Sequence, residues 1–462
     1  MEKSSQTTEP LCTLLVTSLA AFLTPFMIGS IGLAIPSIGS EFNADAPTLN
    51  LIVTVFLISL AAFLLPFGRL ADLYGRRKIF LAGITSYTLF SFLSALAPSA
   101  FSLIVAYTLQ GVSGAMISST GVAILTSVYQ VKERGKILGI NATAVYTGLS
   151  AGPFLGGLLT YNFGWRSIFV VNLLVGLVAL VVASTKLKGE WAGIVGERFD
   201  FRGSVLIVLS LSGLIYGAST FSLSDTNKMF FFLGLVGIAA FVFQERSAKF
   251  PILNVTVFSS NPAFTFSNLA ALIHYSATFA IGFLLSLYLQ VARGLNPQAA
   301  GLILLIQPLM MVFVSPLAGR ISDRIEPRLV ASAGMALTSF GLFIFSLLSP
   351  QSSLNLIAAN LFLIGLGYGF FSSPNTNAVM SSVSRVYYGV ASSTLGTMRF
   401  LGQAFSMAIV STVFAYYLKG LRITPAATDL LVQSMSVVFI VLTIISVGGI
   451  FASLARGVIH ES

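Results

Sequence analysis

The chain has 462 residues, 56% of them hydrophobic and only 9% charged, where soluble domains carry roughly 25% charged residues. That balance excludes a water-dispersed globular protein and makes the bilayer the solvent for most of the surface. The net charge of +10 does not mark a nucleic-acid binder, because the cations fall in short clusters between apolar runs and not on one basic face.

A spanning helix needs about 17–25 mostly apolar residues, and fourteen segments read as spans. They are Leu11–Pro36, Leu49–Phe67, Phe80–Leu96, Phe101–Val128, Leu138–Tyr161, Ser167–Ser184, Gly203–Phe221, Met229–Phe243, Ala263–Leu289, Ala299–Leu317, Leu329–Leu348, Leu354–Ser373, Val390–Tyr417 and Leu430–Leu454. The N-terminus carries Glu2 and Glu9 against Lys3, and the first apolar run is too long for a signal-peptide core, so no cleavable signal is expected. The single cysteine, Cys12, excludes an intrachain disulfide. With the N-terminus assigned to the cytoplasm, the inside segments hold 19 of the 25 Lys and Arg residues and the outside segments 5, with Arg399 left inside a span. The positive-inside rule then fixes the orientation, with both termini cytoplasmic.

The loop after the second span reads Gly68-Arg69-Leu70-Ala71-Asp72-Leu73-Tyr74-Gly75-Arg76-Arg77, and the loop after the tenth reads Gly319-Arg320-Ile321-Ser322-Asp323-Arg324. The same order of residue types recurs on the same side of the membrane, the mark of a transporter built from two halves. The expected organisation is a cytoplasmic N-terminus (1–10), a six-helix half (11–186), a linker with two inserted helices (187–262), a second six-helix half (263–456) and a cytoplasmic tail (457–462). Both loops read as exposed turns, in which glycine permits a tight reversal and the aspartate can accept hydrogen bonds from a helix N-terminus or an arginine.

The first loop resembles the signature cytoplasmic loop of the major facilitator superfamily, through Gly68, Leu70, Ala71, Asp72, Gly75, Arg76 and Arg77. The resemblance implies a conformational latch that favours the outward-open state, with Asp323 in the degraded second copy, where Glu326 takes the second glycine's place. The fifth span carries Gly139, Gly148, Gly152-Pro153 and Gly156-Gly157, similar to the antiporter motif of drug-exporting members. Ala144, Gly148, Gly152 and Gly156 recur every fourth residue, so they share a helix face that lets another helix approach closely; ordinary glycine-mediated packing is the plainer reading. Trp165-Arg166, Ile168-Phe169, Asn172, Phe199-Asp200, Gly203 and the set Gly396, Arg399, Gly402 and Gln403 are similar to the fourteen-span drug:proton antiporters. Two positions depart from that family: Tyr107 stands where the fourth span usually carries an arginine, and Met27 where the first carries an aspartate.

No carboxylate falls near the expected bilayer midplane. Arg399 lies nine residues past Val390, about 13 Å along a helix rising about 1.5 Å per residue. It shares a face with Ser392, Gly396, Gln403 and Ser406 and reads either as a structural arginine bonded to backbone carbonyls or as part of a substrate or coupling pathway. His274 reaches similar depth, as a packing residue or as the one midplane group able to titrate near neutrality. Tyr107, Gln110, Tyr275 and Gln307 fall at mid-depth by the same arithmetic, each either as a packing residue or as lining of a shared cavity. The expected fold is thus an all-α membrane protein with the major facilitator architecture. The expected function is export of amphipathic drugs or related small molecules across the plasma membrane, with proton exchange as the resemblance implies. The alternative is a carrier for a neutral or anionic metabolite or lipid without proton coupling. The expected partners are a small-molecule substrate, protons and membrane lipids, for a monomer with no nucleic acid, metal or cofactor. An enzyme is disfavoured by the lack of a His-Glu-x-x-His motif or an acid pair in the membrane, and no nucleotide-binding loop supports ATP-driven pumping.

Overall fold

The computed structural model describes residues 10–44, 46–191, 196–220, 225–253, 258, 260–295, 297–418 and 428–457, and among them no residue forms a strand. The first half contains α1 (Pro10–Phe42), α2 (Ala46–Tyr74), α3 (Arg76–Ala95), α4 (Ala100–Val128), α5 (Arg134–Phe163) and α6 (Arg166–Lys186). The insert contributes α7 (Phe201–Ser219) and α8 (Asp225–Ser247). The second half contains α9 (Pro262–Thr278), α10 (Ala280–Leu287), α11 (Pro297–Leu304), α12 (Ile306–Ser322), α13 (Pro327–Ser346), α14 (Leu354–Ser381), α15 (Tyr388–Leu418) and α16 (Thr428–Leu454).

Each of the fourteen apolar segments coincides with a helix, although the seventh was expected to end at Phe221, outside the described residues. The ninth and tenth are each two helices in series, broken at Phe279 and Leu305. The first break is satisfied internally, since the Ala280 amide donates to Ser406 Oγ of α15 at 3.1 Å; a backbone group freed inside a bilayer needs such a partner. Local signals set the ends. Ser99 and Ser102 form a reciprocal capping box on α4, while Asp200 and Asn261 cap α7 and α9.

Twelve helical stretches among the described residues are long and apolar enough to cross a membrane. The two long helices outside that set are α5 and α15, of 30 and 31 residues. Their glycine, serine and threonine content lowers their hydropathy, and each packs against a helix of the opposite half.

The first half packs around Phe26, Phe56, Tyr87, Tyr107 and Phe169, the second around Ile281, Leu342, Leu361 and Phe439. The inserted helices pack on each other through Gly217 and Gly234, where a Cβ would lie 2.3 Å from the Phe231 nitrogen and 2.4 Å from the Leu214 nitrogen. α7 also rests on α2 and α15. The halves meet along two matched seams, α2 against α15 and α5 against α12.

Candidate functional site: a double latch below a central cavity

The signature segment is not the exposed turn its composition suggests. Gly68 and Asp72 lie on the last turns of α2, and Asp72 and Arg76 are 0% and 3% exposed. Gly75 separates α2 from α3 with φ +115°, and a Cβ there would lie 2.4 Å from the Glu190 carboxyl, so glycine is required twice over. Asp72 Oδ1 and Oδ2 accept the Gly389 and Val390 amides, each at 3.0 Å, across the seam at the start of α15. Arg76 donates to Asp72 Oδ1 through Nε at 2.9 Å and through its terminal nitrogen at 2.7 Å. It reaches over the seam as well, to the Arg385 carbonyl at 2.6 Å. A carboxylate at a helix N-terminus satisfies orphan amides and meets the positive end of the helix dipole. Arg77 takes no part across the seam. Its amide donates to Glu190 Oε1 and its Nε to the Leu187 carbonyl, tying α3 to the segment after α6.

The degraded copy repeats this geometry on the other seam. Asp323, at the end of α12, accepts the Gly135 amide at 2.8 Å and the Lys136 amide at 3.0 Å, at the start of α5. Glycines allow both approaches. A Cβ on Gly389 would stand 2.6 Å from the Gly68 carbonyl oxygen, and one on Gly319 would stand 2.0 Å from that of Gly135. Tyr388 closes the centre, with the Arg76 and Arg134 guanidinium groups 5.6 and 5.2 Å from its ring centroid. Further seam bonds run from Thr143 to the Val312 carbonyl at 3.0 Å and from Ser373 to the Gly135 carbonyl at 3.1 Å. The bonds joining the halves thus cluster at the latch end. At the opposite end, Glu41 binds Trp165 and Arg166 within the first half, and Arg293 binds the Pro350 carbonyl within the second.

The glycines of α5 divide between two interfaces. Gly148, Gly152 and Gly156 face α1, where a Cβ would come within 2.7 to 2.8 Å of Phe22, Gly29 and Ser30, and Pro153 Cδ lies 3.0 Å from a Cβ built on Gly29. Gly139 faces α12 instead, 2.5 Å from the Ser315 carbonyl oxygen by the same measure. Gly157 is half-buried.

Above the latch lies a cavity of about 170 Å³ between α1, α4 and α5 of one half and α9, α14 and α15 of the other. Its lining is mostly apolar, with Thr24, Ser118, Asn141, Asn375, Arg399 and Gln403 supplying polar atoms and Tyr146, Tyr275 and Phe371 supplying ring faces. Among the described residues that line it, Arg399 is the one charge and none is a carboxylate. The guanidinium lies 5.3 Å from the Tyr275 ring centroid and 5.8 Å from that of Phe400, and its Nε has no hydrogen-bond partner. Asn141 Nδ2 and Asn375 Oδ1 are also unpartnered, so the cavity wall holds polar groups still short of hydrogen bonds.

Of the seven residues assigned to a substrate or coupling pathway, Tyr275, Arg399 and Gln403 border the cavity. His274 stands one layer behind, stacked on Phe371 at 4.0 Å and edge-on to Tyr368 at 4.8 Å, with both ring nitrogens unpartnered. Tyr107 is inside the first half's core, stacked on Phe56 at 4.7 Å. Gln110 donates to Ser91 within that half at 3.1 Å. The Gln307 backbone packs on Gly365 within the second half. None of these four is among the described lining residues, and Tyr107, Gln110 and His274 sit in packed surroundings, in keeping with the packing alternative for each. Asn141, Tyr146, Phe371 and Asn375 border it without having been singled out. The signal present was the low hydropathy of α5.

The Major Facilitator Superfamily model matches residues 17–407 and again 267–459. The riboflavin transporter RibZ of Clostridioides difficile is 29% identical over 405 residues, covering 87% of this chain and 88% of the relative. The multidrug resistance protein Stp of Mycobacterium tuberculosis is 30% identical, covering 89% and 77%. The cephamycin export protein CmcT of Amycolatopsis lactamdurans is 30% identical, covering 89% and 86%. The human organic anion transporter MFSD10 shares the fold at a TM-score of 0.65 with 14% identity, covering 95% of this chain and 99% of that one. The chain belongs to the Major Facilitator Superfamily of membrane transporters.

Proposed function

We propose that the protein is a secondary exporter of amphipathic small molecules, working by alternating access in the plasma membrane as a fourteen-span monomer with both termini cytoplasmic. The observation that carries this reading is the pair of aspartate caps. Asp72 and Asp323 hold opposite seams shut at one end of a cavity that both halves line. Interfaces of this kind have two discrete arrangements, and a ligand moves them by binding one better than the other. The latch end carries the excess of Lys and Arg, which supports a cytoplasmic placement. The conformation described is then closed to the cytoplasm, the state from which an exporter releases its load. Relatives named for multidrug resistance and cephamycin export support organic molecules as cargo.

The cavity is smaller than the roughly 300–1,000 Å³ of ordinary ligand sites, so cargo requires the halves to part. Arg399 without a carboxylate in the lining favours neutral or anionic amphiphiles over multiply charged cations. Proton exchange is the proposed driving force, with His274 as the carrier once opening admits water to its ring. A facilitated carrier is the second reading, favoured by the seal that Phe371 and Tyr368 form around His274. A susceptibility panel in a host stripped of its own exporters tests the main reading. Expression should raise tolerance to several neutral or anionic amphiphiles; unchanged tolerance throughout, with protein in the membrane, refutes export.

A further inference from the structure

A second site lies away from the central cavity, where the latch ends of α9, α14 and α16 come together. It is an open hollow of about 580 Å³ bordered by Ser260, Asn261, Ala263, Ser384, Tyr387 and Arg456 among others, with no acid among the described residues that line it. Arg456 follows α16 and is 1% exposed. Its Nε donates to the Ser453 carbonyl at 2.8 Å and one terminal nitrogen donates to Ser453 Oγ at 2.6 Å; the other has no partner. Burial without a counter-charge pulls its pKa down to about 9. A buried cation costs several kcal/mol unless an anion meets it. The same hollow is walled by the first turn of α9. There Asn261 Oδ1 takes the Phe264 amide at 3.0 Å, Pro262 brings no amide, and Ala263 supplies a first-turn N–H. A helix N-terminus and an arginine lacking an acidic partner thus face one hollow, and both favour a phosphate oxygen.

We infer that this hollow binds the phosphate of an anionic phospholipid. The lipid source follows from position. The apolar stretch of α16 ends at Leu454, and that of α9 begins at Pro262, which sets the hollow at the membrane boundary. Ile444, Val447, Phe451 and Leu454 form an exposed apolar stripe at helical spacing on α16, ending two residues before Arg456. A headgroup held at Arg456 would lay its acyl chain along that stripe. Basic hollows between helices at this depth suit anionic headgroups.

The test is native mass spectrometry of the full-length, delipidated protein with phosphatidylglycerol or phosphatidylcholine. Wild type should retain phosphatidylglycerol selectively, and Arg456→Gln should weaken retention at least about tenfold, as expected for a lost charge-assisted bond. Because Arg456 is buried, Ser384→Asp serves as a second variant. It adds a negative charge at an exposed rim position and should reduce phosphatidylglycerol retention while leaving the thermal midpoint unchanged. Inorganic phosphate at millimolar concentration should not displace the lipid; displacement would overturn the lipid as the source of the phosphate. Equal retention of the two lipids by wild type, or undiminished phosphatidylglycerol retention in both variants, overturns the site. So does a large gain in retention on removing residues 458–462, which would make the chain's own tail the occupant.

Discussion

Asp323→Asn separates the latch from the stability of the fold. Asp323 holds two amides, at 2.8 and 3.0 Å. Asparagine keeps one acceptor oxygen and turns an NH2 group against the other amide. Hydrogen bonds to charged groups contribute about 1.5–3 kcal/mol each, and a carboxylate at a helix N-terminus adds about 0.3–1 kcal/mol through the dipole. These contacts exist only while the seam is shut, so their loss counts wholly toward opening. A shift of about 2 kcal/mol corresponds to a roughly 30-fold larger latch-open population. Asp72→Asn is less clean, because it also strips the carboxylate from Arg76, which is 3% exposed, and a buried arginine left so loses folding stability. The assay places a single reporter at Thr376→Cys, in the cavity wall, in a Cys12→Ser background. Maleimide labelling is timed from the latch side in inside-out vesicles. Asp323→Asn should label roughly 30-fold faster. A rate within twofold of the parent, at normal protein level, would refute the second latch.

Gly319→Ala should also favour the open seam, since its Cβ would meet the Gly135 carbonyl oxygen at 2.0 Å; faster labelling at Thr376→Cys checks it. Gly152→Ala acts within one half, against Gly29 at 2.8 Å, and should lower the thermal midpoint in detergent without that change in labelling. Arg399→Gln should abolish transport of anionic amphiphiles while sparing neutral ones, read in proteoliposomes; equal loss of both would make the arginine structural. His274→Gln should abolish accumulation driven by an imposed pH gradient but spare counterflow exchange, and a gradient that drives both proteins equally would make His274 a packing residue only. Glu41 is held below the usual carboxylate range, first by its hydrogen bond from Arg166. Its contribution is therefore present above the unfolded value near pH 4.3 and lost as pH falls through the depressed value. Glu41→Gln should lower the midpoint slightly at pH 5–8, the pair being solvent-screened, and the difference should close only in stronger acid.

The spanning segments were legible as apolar runs bounded by charged or capping residues. The latch aspartates were legible as a repeat. What they grip was not, since Gly389, Val390, Gly135 and Lys136 act through backbone amides, which carry no residue code. Depth along a helix could be counted, but rotation could not. Tyr107 and Gln110 reach mid-depth and still face their own bundle. Arg399 was better placed because Ser392, Gly396 and Gln403 fix its face. The break at Leu305 has a local cause, since Pro308 cannot donate to the Leu304 carbonyl one turn back. The break at Phe279 carries no proline and is supported by Ser406 of a distant helix, so only that one could not be read locally.

Cross-linking across the shut seam tests alternating access most directly. Ser392 Oγ lies 3.5 Å from the Ser118 carbonyl oxygen across the two halves. Ser118→Cys and Ser392→Cys, combined in a Cys12→Ser background, should accept a short bifunctional thiol reagent. Transport by the linked protein should fall to background and return when a reductant cleaves the link. Transport at the unlinked rate, with cross-linking complete, would contradict the account.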